Sequence, residues 1–182
     1  MSSLTVFALS GSLRAASTNK GLIRCAMQLA PENMKIITAD IGDVPLYNED
    51  VATAGTPEAV RRVLDAMQSA DAFLFASTEY NYSMAPALKN MLDWASRVPA
   101  NAVLNGKHVA IMGAGGGMGT ARSQYHLRQV CVYLNLLPLN KPEVFVNAFT
   151  GSFAANGDVL DDKVKGQVRQ LLEALAKQCQ PC

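Results

Sequence analysis

Directly between the apolar, β-rich run Leu4-Thr-Val-Phe-Ala-Leu9 and a helically spaced segment from Asn19 to Ala30 lies the loop Ser10-Gly-Ser-Leu-Arg-Ala-Ala-Ser-Thr18. A short apolar run suits a buried parallel strand, and the segment after the loop repeats its apolar residues at helical intervals. The loop therefore sits at a strand's carboxyl end, opening a helix. There the N–H groups of the helix N-terminus attract anions, while the hydroxyls of Ser12, Ser17 and Thr18, the amide of Asn19 and the guanidinium of Arg14 add further donors. The stretch reads as a phosphate cradle. The same residues would also serve an ordinary strand-to-helix turn, with Ser and Asn as caps and Arg14 in solvent.

Apolar runs recur at Leu4–Leu9, Lys35–Ala39, Ala72–Ser77, His108–Ala114 and Glu143–Val146, with helix-like stretches between them. That alternation is the signature of a wound α/β sheet. Thr56-Pro57 starts a helix running to about Ser69, Pro86 opens one to about Arg97, Arg122–Arg128 lies on the next, and Asp161 or Asp162 begins the last. Asp40–Gly55 and Asn147–Gly157 read as irregular, without the bias of an interdomain linker. With 182 residues and 49% hydrophobic content, residues 1–182 are expected to form one domain. Five parallel strands and five helices, with a phosphate loop after the first strand, fit a flavodoxin-like three-layer sandwich. Its strand order is 2-1-3-4-5, with helices on both faces, and its ligand crevice opens between the first and third strands. The first and third loops are thus expected to share the ligand.

The formal charge of +1, with Lys and Arg scattered, offers no footprint for nucleic acid or an anionic membrane. It also speaks against an acidic electron carrier. Met1-Ser-Ser runs into the first strand without signal-peptide regions, and no apolar stretch reaches membrane-spanning length, so a cytoplasmic protein is expected. Cys25 and Cys131 fall on apolar helix positions and read as core. Cys179-Gln-Pro-Cys182 has the spacing of a redox or metal pair but follows the last helix, where thiolate is disfavoured; a non-functional tail is expected. His108 begins a strand and His126 lies within a helix, so both read as structural, and no zinc set or nucleophile triad is evident.

Gly113-Ala-Gly-Gly-Gly-Met-Gly119 is not a dinucleotide fingerprint. Counting from Gly113 puts Met118 at the third glycine's place, and counting from Gly115 puts Thr120 there. The glycines read instead as close backbone approach to a ligand, chosen for absent side chains and positive φ.

The loop after the third strand reads Ser77-Thr-Glu-Tyr-Asn-Tyr-Ser-Met-Ala-Pro-Ala-Leu-Lys-Asn-Met-Leu-Asp-Trp-Ala-Ser-Arg97. Together with the first loop it resembles the PEYNYS-x-P-x-x-LKN-x-x-DW pattern of the NAD(P)H-dependent FMN reductase family, which includes quinone, chromate and azo-dye reductases. Val44-Pro-Leu-Tyr47, Arg122–Arg128 and Asn140-Lys-Pro-Glu143 extend the likeness along most of the chain, toward the soluble NAD(P)H:quinone reductases. The resemblance implies non-covalent FMN and NAD(P)H as co-substrate, with ping-pong two-electron hydride transfer to quinones. The flavin carries the chemistry, so no catalytic side chain is implied.

By position in the family pattern, Ser12, Arg14, Ser17, Thr18 and Asn19 would grip the phosphate. Glu79, Tyr80, Asn81 and Tyr82 would line the isoalloxazine, and Ala114, Gly115 and Gly116 would meet its edge with backbone alone, where relatives often carry a hydroxyl. Leu88, Met91, Leu92 and Ala95 are most simply core. The resemblance further implies a homodimer or homotetramer, with Trp94 and Arg97 as contacts and Arg122, Tyr125 and Glu143 in a second interface. An azo, chromate or general flavin reductase stands as the alternative enzyme. A flavodoxin-type carrier or a flavin-binding interaction protein stands as the alternative class.

Overall fold

The structure, a computed structural model, describes residues 3–180. Its strands are β1 (Leu4–Ser10), β2 (Met34–Thr38), β3 (Ala72–Ala76), β4 (Glu79–Tyr80), β5 (Ser83–Met84), β6 (His108–Gly115), β7 (Leu137–Pro138) and β8 (Val144–Asn147). Its helices are α1 (Thr18–Leu29), α2 (Glu49–Ala54), α3 (Glu58–Gln68), α4 (Pro86–Ala95), α5 (Ala121–Tyr133) and α6 (Asp162–Gln178), with a 3₁₀ turn at Pro99–Asn101.

The main sheet is parallel in the order β2-β1-β3-β6, and its fifth place is shared. β7 pairs with His108 and Val109 at the start of β6, and β8 pairs with Met112 to Gly115 at its end. The expected order therefore stands, with the fifth strand over Glu143–Val146 found one residue later as β8, and the two-residue β7 added ahead of it. Pro138 and Pro142 lack the N–H that a continuous ladder requires. Three further corrections concern short elements. β4 and β5 form a small separate hairpin, α2 lies inside the stretch read as irregular, and β2 runs one residue earlier than Lys35–Ala39.

Side chains alternate across the sheet with a marked difference in size. Ala8, Ala72, Ala76, Ala110 and Ala114 face α1 and α6, which bring Leu22, Ala26, Val168, Leu172 and Leu175 onto them. Phe7, Leu9, Phe73, Phe75 and Ile111 face the other way, onto Val60, Val63 and Met67 of α3, Leu88, Met91 and Leu92 of α4, and Leu127 and Cys131 of α5. Phe7 meets Phe73 edge-on at 6.5 Å and Phe73 stacks on Phe75 at 5.6 Å. Val6, Leu74 and Met112 share the first face with the alanines, beneath α1 and α6.

Candidate functional site

Three loops leave the carboxyl ends of β1, β3 and β6, at residues 11–17, 77–85 and 116–120. Gly11 continues the β1 ladder by donating to the Ala76 carbonyl at 3.0 Å. A Cβ there would lie 3.2 Å from the Thr78 nitrogen, so the first and third loops touch backbone to backbone. Ser12, Ser17 and Asn19 are buried, whereas Arg14 is exposed and has no ion pair among the described residues.

Ser17 is the N-cap of α1, its Oγ accepting from the N–H groups of Asn19 at 3.2 Å and Lys20 at 3.4 Å. Asn19 does something the sequence did not suggest. Its Nδ2 donates to the Ala114 carbonyl and its Oδ1 accepts from the Ala114 N–H, both at 2.9 Å and both buried. That reciprocal pair ties the start of α1 to the end of β6. Asn19 thus holds two of the loops in register through its amide, and Ser17 presents α1 through its cap.

In the third loop, Asn81 and Tyr82 form the two-residue turn of the β4–β5 hairpin, with φ of 50° and 68°. Such a turn favours Asn then Gly, so Tyr82 stands in left-handed backbone at a cost of about 1–3 kcal/mol. Tyr80 and Tyr82 are both exposed. Arg122 from α5 stacks on the Tyr82 ring at 3.6 Å and donates from Nε to Glu79 Oε1 at 2.7 Å. The other Glu79 oxygen accepts from the Ser123 N–H at 3.2 Å. Deeper in, Ser77 and Ser123 share a hydrogen bond of 2.5 Å, and Ser123 donates to the Thr78 carbonyl at 3.0 Å. Ser83 meets His126 Nδ1 at 2.9 Å, giving that histidine a structural partner.

The glycine loop departs from expectation. Of Gly113–Gly119 only Gly119 has positive φ, at 61°. A Cβ on Gly113 would strike Thr120 Oγ1 at 1.9 Å, and one on Gly115 would strike the Gly119 carbonyl at 2.4 Å. Those two positions are small because the loop folds onto itself, whereas Gly116 and Gly117 face open space. Met118 is exposed beside them.

The residues read as contacts between copies also divide. Trp94 is 3% exposed, donates Nε1 to the Pro45 carbonyl at 2.8 Å and meets Tyr47 edge-on, so it packs within its own subunit. Asn90, unremarked in the sequence, pins the same loop by accepting from the Tyr47 N–H and donating to Pro45. Arg97 remains exposed, over Tyr47. Tyr125 donates to Glu143 at 3.4 Å, while Arg122 is engaged with Glu79 instead. Cys25 and Cys131 are buried as expected; Cys179 is half-buried, and Cys182, which the proposed pair would need, lies outside the described residues.

The described residues contain no group of three or more His, Cys, Asp or Glu placed to hold a metal, and no helix long and apolar enough to cross a membrane. The donor chemistry of these loops suits an anionic ligand. Thr78 Oγ1 is buried beside Gly11 with no partner, Arg14 offers an uncommitted guanidinium at the rim, and the start of α1 faces the same loop. An FMN phosphate and ring would meet that donor set, although the side chains of Asn19 and Glu79 are largely committed to holding the loops.

The sequence profile of the family described as NADPH-dependent FMN reductase matches residues 4–151. An NAD(P)H-dependent FMN reductase of Pseudomonas aeruginosa is 50% identical over 173 residues, covering 94% of this chain and 93% of that protein. An NADPH:quinone oxidoreductase of Arabidopsis thaliana is 45% identical over 178 residues, covering 94% and 90%. Among solved structures, the flavoenzyme NAD(P)H:(acceptor) oxidoreductase FerB of Paracoccus denitrificans superposes with a TM-score of 0.83 at 32% identity, covering 96% of this chain and 98% of that one.

Proposed function

We propose, since this chain belongs to the NADPH-dependent FMN reductase family, that it is an NAD(P)H:quinone oxidoreductase working through non-covalently bound FMN. The observation that carries this reading is the convergence of three loops at the carboxyl ends of β1, β3 and β6, the first and last tied by the Asn19–Ala114 pair and the first and middle meeting at Gly11 and Thr78.

Bound FMN supplies a centre that accepts hydride from a nicotinamide and passes it to a quinone, so both substrates use one face in turn. The chain's own residues bind and orient. Arg14, Ser12, Ser17 and Thr18 hold the phosphate, with Arg14 giving a charge-assisted contact and Ser17 offering its hydroxyl hydrogen while its oxygen caps α1. The Glu79–Tyr82 hairpin bounds the ring, mostly through backbone. The backbone of Ala114, Gly115 and Gly116 meets its edge, and Asn19 fixes that edge relative to the phosphate loop. Such preorganisation places donors before the substrate arrives.

The test is direct. The purified protein should be yellow, release FMN on denaturation, and turn over NADH or NADPH with a quinone, giving parallel lines in double-reciprocal plots. Selective uptake of FAD, or flavin binding without quinone turnover, would overturn the reading. Chromate and azo compounds are the alternative acceptors for the same assay.

The assembly we propose is a homodimer through the α4–α5 face, pairing further to a tetramer on the side of Tyr125 and Glu143. Support comes from Val132 and Tyr133, each 78% exposed, and from a groove of about 650 Å³ between the two helices, lined by Lys89, Arg97, Val130 and Tyr133.

A further inference from the structure

We propose that Arg122 is a positioning residue for the ring-side hairpin, a role that rests on the reading of the crevice as an FMN site. Three observations converge on its guanidinium. It is held by Glu79, whose side chain is only 8% exposed, through Nε at 2.7 Å and Nη2 at 2.5 Å to one oxygen. The second Glu79 oxygen receives the Ser123 N–H, which caps α5 where its own N-cap Thr120 makes no side-chain hydrogen bond. The guanidinium plane then carries the Tyr82 ring at 3.6 Å.

The base of this arrangement does not move easily. Ser123 is hydrogen-bonded to Ser77 and Thr78, and the next residue, Gln124, donates to Thr120 and to the Val144 carbonyl. The first turn of α5 is therefore anchored to β8 and to the two residues that follow β3, and Arg122 extends from that root. What it holds is the one part of the crevice with a reason to leave. Tyr82 sits at a turn position that favours glycine, its ring is largely in solvent, and the hairpin contains only two residues on each strand. With Arg122 in place, the strained turn keeps one conformation before any ligand binds.

Lysine would not substitute. An ammonium can pair with Glu79 but offers no plane for the Tyr82 ring and no fork of donors.

The experiment is titration of FMN into flavin-free full-length protein, followed by quenching of FMN fluorescence, for the wild type, R122A, R122K, Y82A and the R122A/Y82A double variant. R122A is expected to weaken FMN binding at least tenfold, R122K to recover only a minor part, and the double variant to bind no more weakly than the weaker single one. That coupling distinguishes positioning through Tyr82 from a general loosening of α5, which would leave the two effects additive. Affinity of R122A within twofold of wild type, full recovery in R122K, or additive losses would each overturn the proposal. Should R122A fail to fold, the same cycle run with R122K and Y82A carries the test. A wild type that takes up no FMN overturns both this proposal and the functional reading, whereas a normal wild type with an unaffected R122A overturns this proposal alone.

Discussion

Asn19 and Arg14 stand five residues apart in one motif, yet the structure places them in opposite surroundings. Asn19 is buried and spends its amide on both backbone groups of Ala114. Replacing it with Ala removes two hydrogen bonds and leaves buried backbone groups unpaired, a loss of about 2–4 kcal/mol in folding stability. Urea denaturation of the flavin-free protein measures it; a change below 1 kcal/mol on the same scale would mean that the clamp is not intact in solution. Arg14→Ala should show the reverse pattern. The side chain is exposed and unpaired, so stability should stay within about 0.5 kcal/mol while FMN binding weakens by about 1.5–3 kcal/mol. Motif position alone cannot separate these surroundings, because both residues are polar and both belong at a phosphate loop. The difference lies in Ala114, 95 residues away. The cysteines were easier to read. Burial pushes the Cys131 thiol up to about 12 and raises that of Cys25 as well, so neither should react with iodoacetamide at pH 8 until the protein is unfolded, as peptide mapping would show.

At the scale of elements, legibility followed the source of each element's stability. β1, β3 and β6 are buried on both faces and therefore appear as plain apolar runs, while α3 and α4 announce themselves through Pro57 and Pro86. The two-residue strands β4, β5 and β7 leave no periodicity to find, and α2 buries no residue and rests on its own Asn48 N-cap, so its six residues carry no apolar stripe. The expected start of α6 at Asp161 or Asp162 was met, with Asp161 as its N-cap, and it brings a pH dependence. The Lys163 N–H and the Ser152 hydroxyl hold the Asp161 carboxyl below its ordinary value of 3.8, and Arg24, then Asn156, do the same for Asp158. A carboxylate lowered in the folded state stabilises above the ordinary value, and that contribution is lost as pH falls through it toward the folded one. Thermal stability should therefore drop on acidification from about pH 5 to about pH 3. Asp161→Asn keeps a capping oxygen without a titrating group, so its melting temperature should fall less over the same range. An identical acid profile would remove Asp161 from the account.

At the scale of the whole molecule, exposed apolar side chains fall both on the ligand loops, at Leu13, Tyr80, Tyr82 and Met118, and on a separate helical support. The loops rest on a sheet packed on both faces, and a Cβ on Gly21 of α1 would lie 1.7 Å from the Gly157 carbonyl, so even the irregular stretch after β8 presses onto α1. The helical group lies away from those loops. Val132 and Tyr133 end α5, and Tyr133 lines the groove shared with Lys89 and Arg97 of the α4 side. Trp94, expected at that boundary, is instead spent on fastening the 44–47 loop to α4, which leaves Leu46 projecting into solvent. An aromatic and a β-branched residue held side by side on a rigid helix suit the centre of an interface, where about 800 Å² per partner is usual for a stable pair. Tyr133→Asp places a charge on the face proposed for the dimer and should therefore leave the protein monomeric at micromolar concentration, read by light scattering, while urea stability stays within about 1 kcal/mol because the side chain is already exposed. Tyr125→Phe removes the hydroxyl that reaches Glu143 within the subunit and, with that hydroxyl on the proposed second interface, should weaken tetramers while dimers persist. Intact dimers in the Tyr133→Asp variant would move the interface to another face, and a wild type that is monomeric with full quinone turnover would show that each subunit's three loops suffice alone.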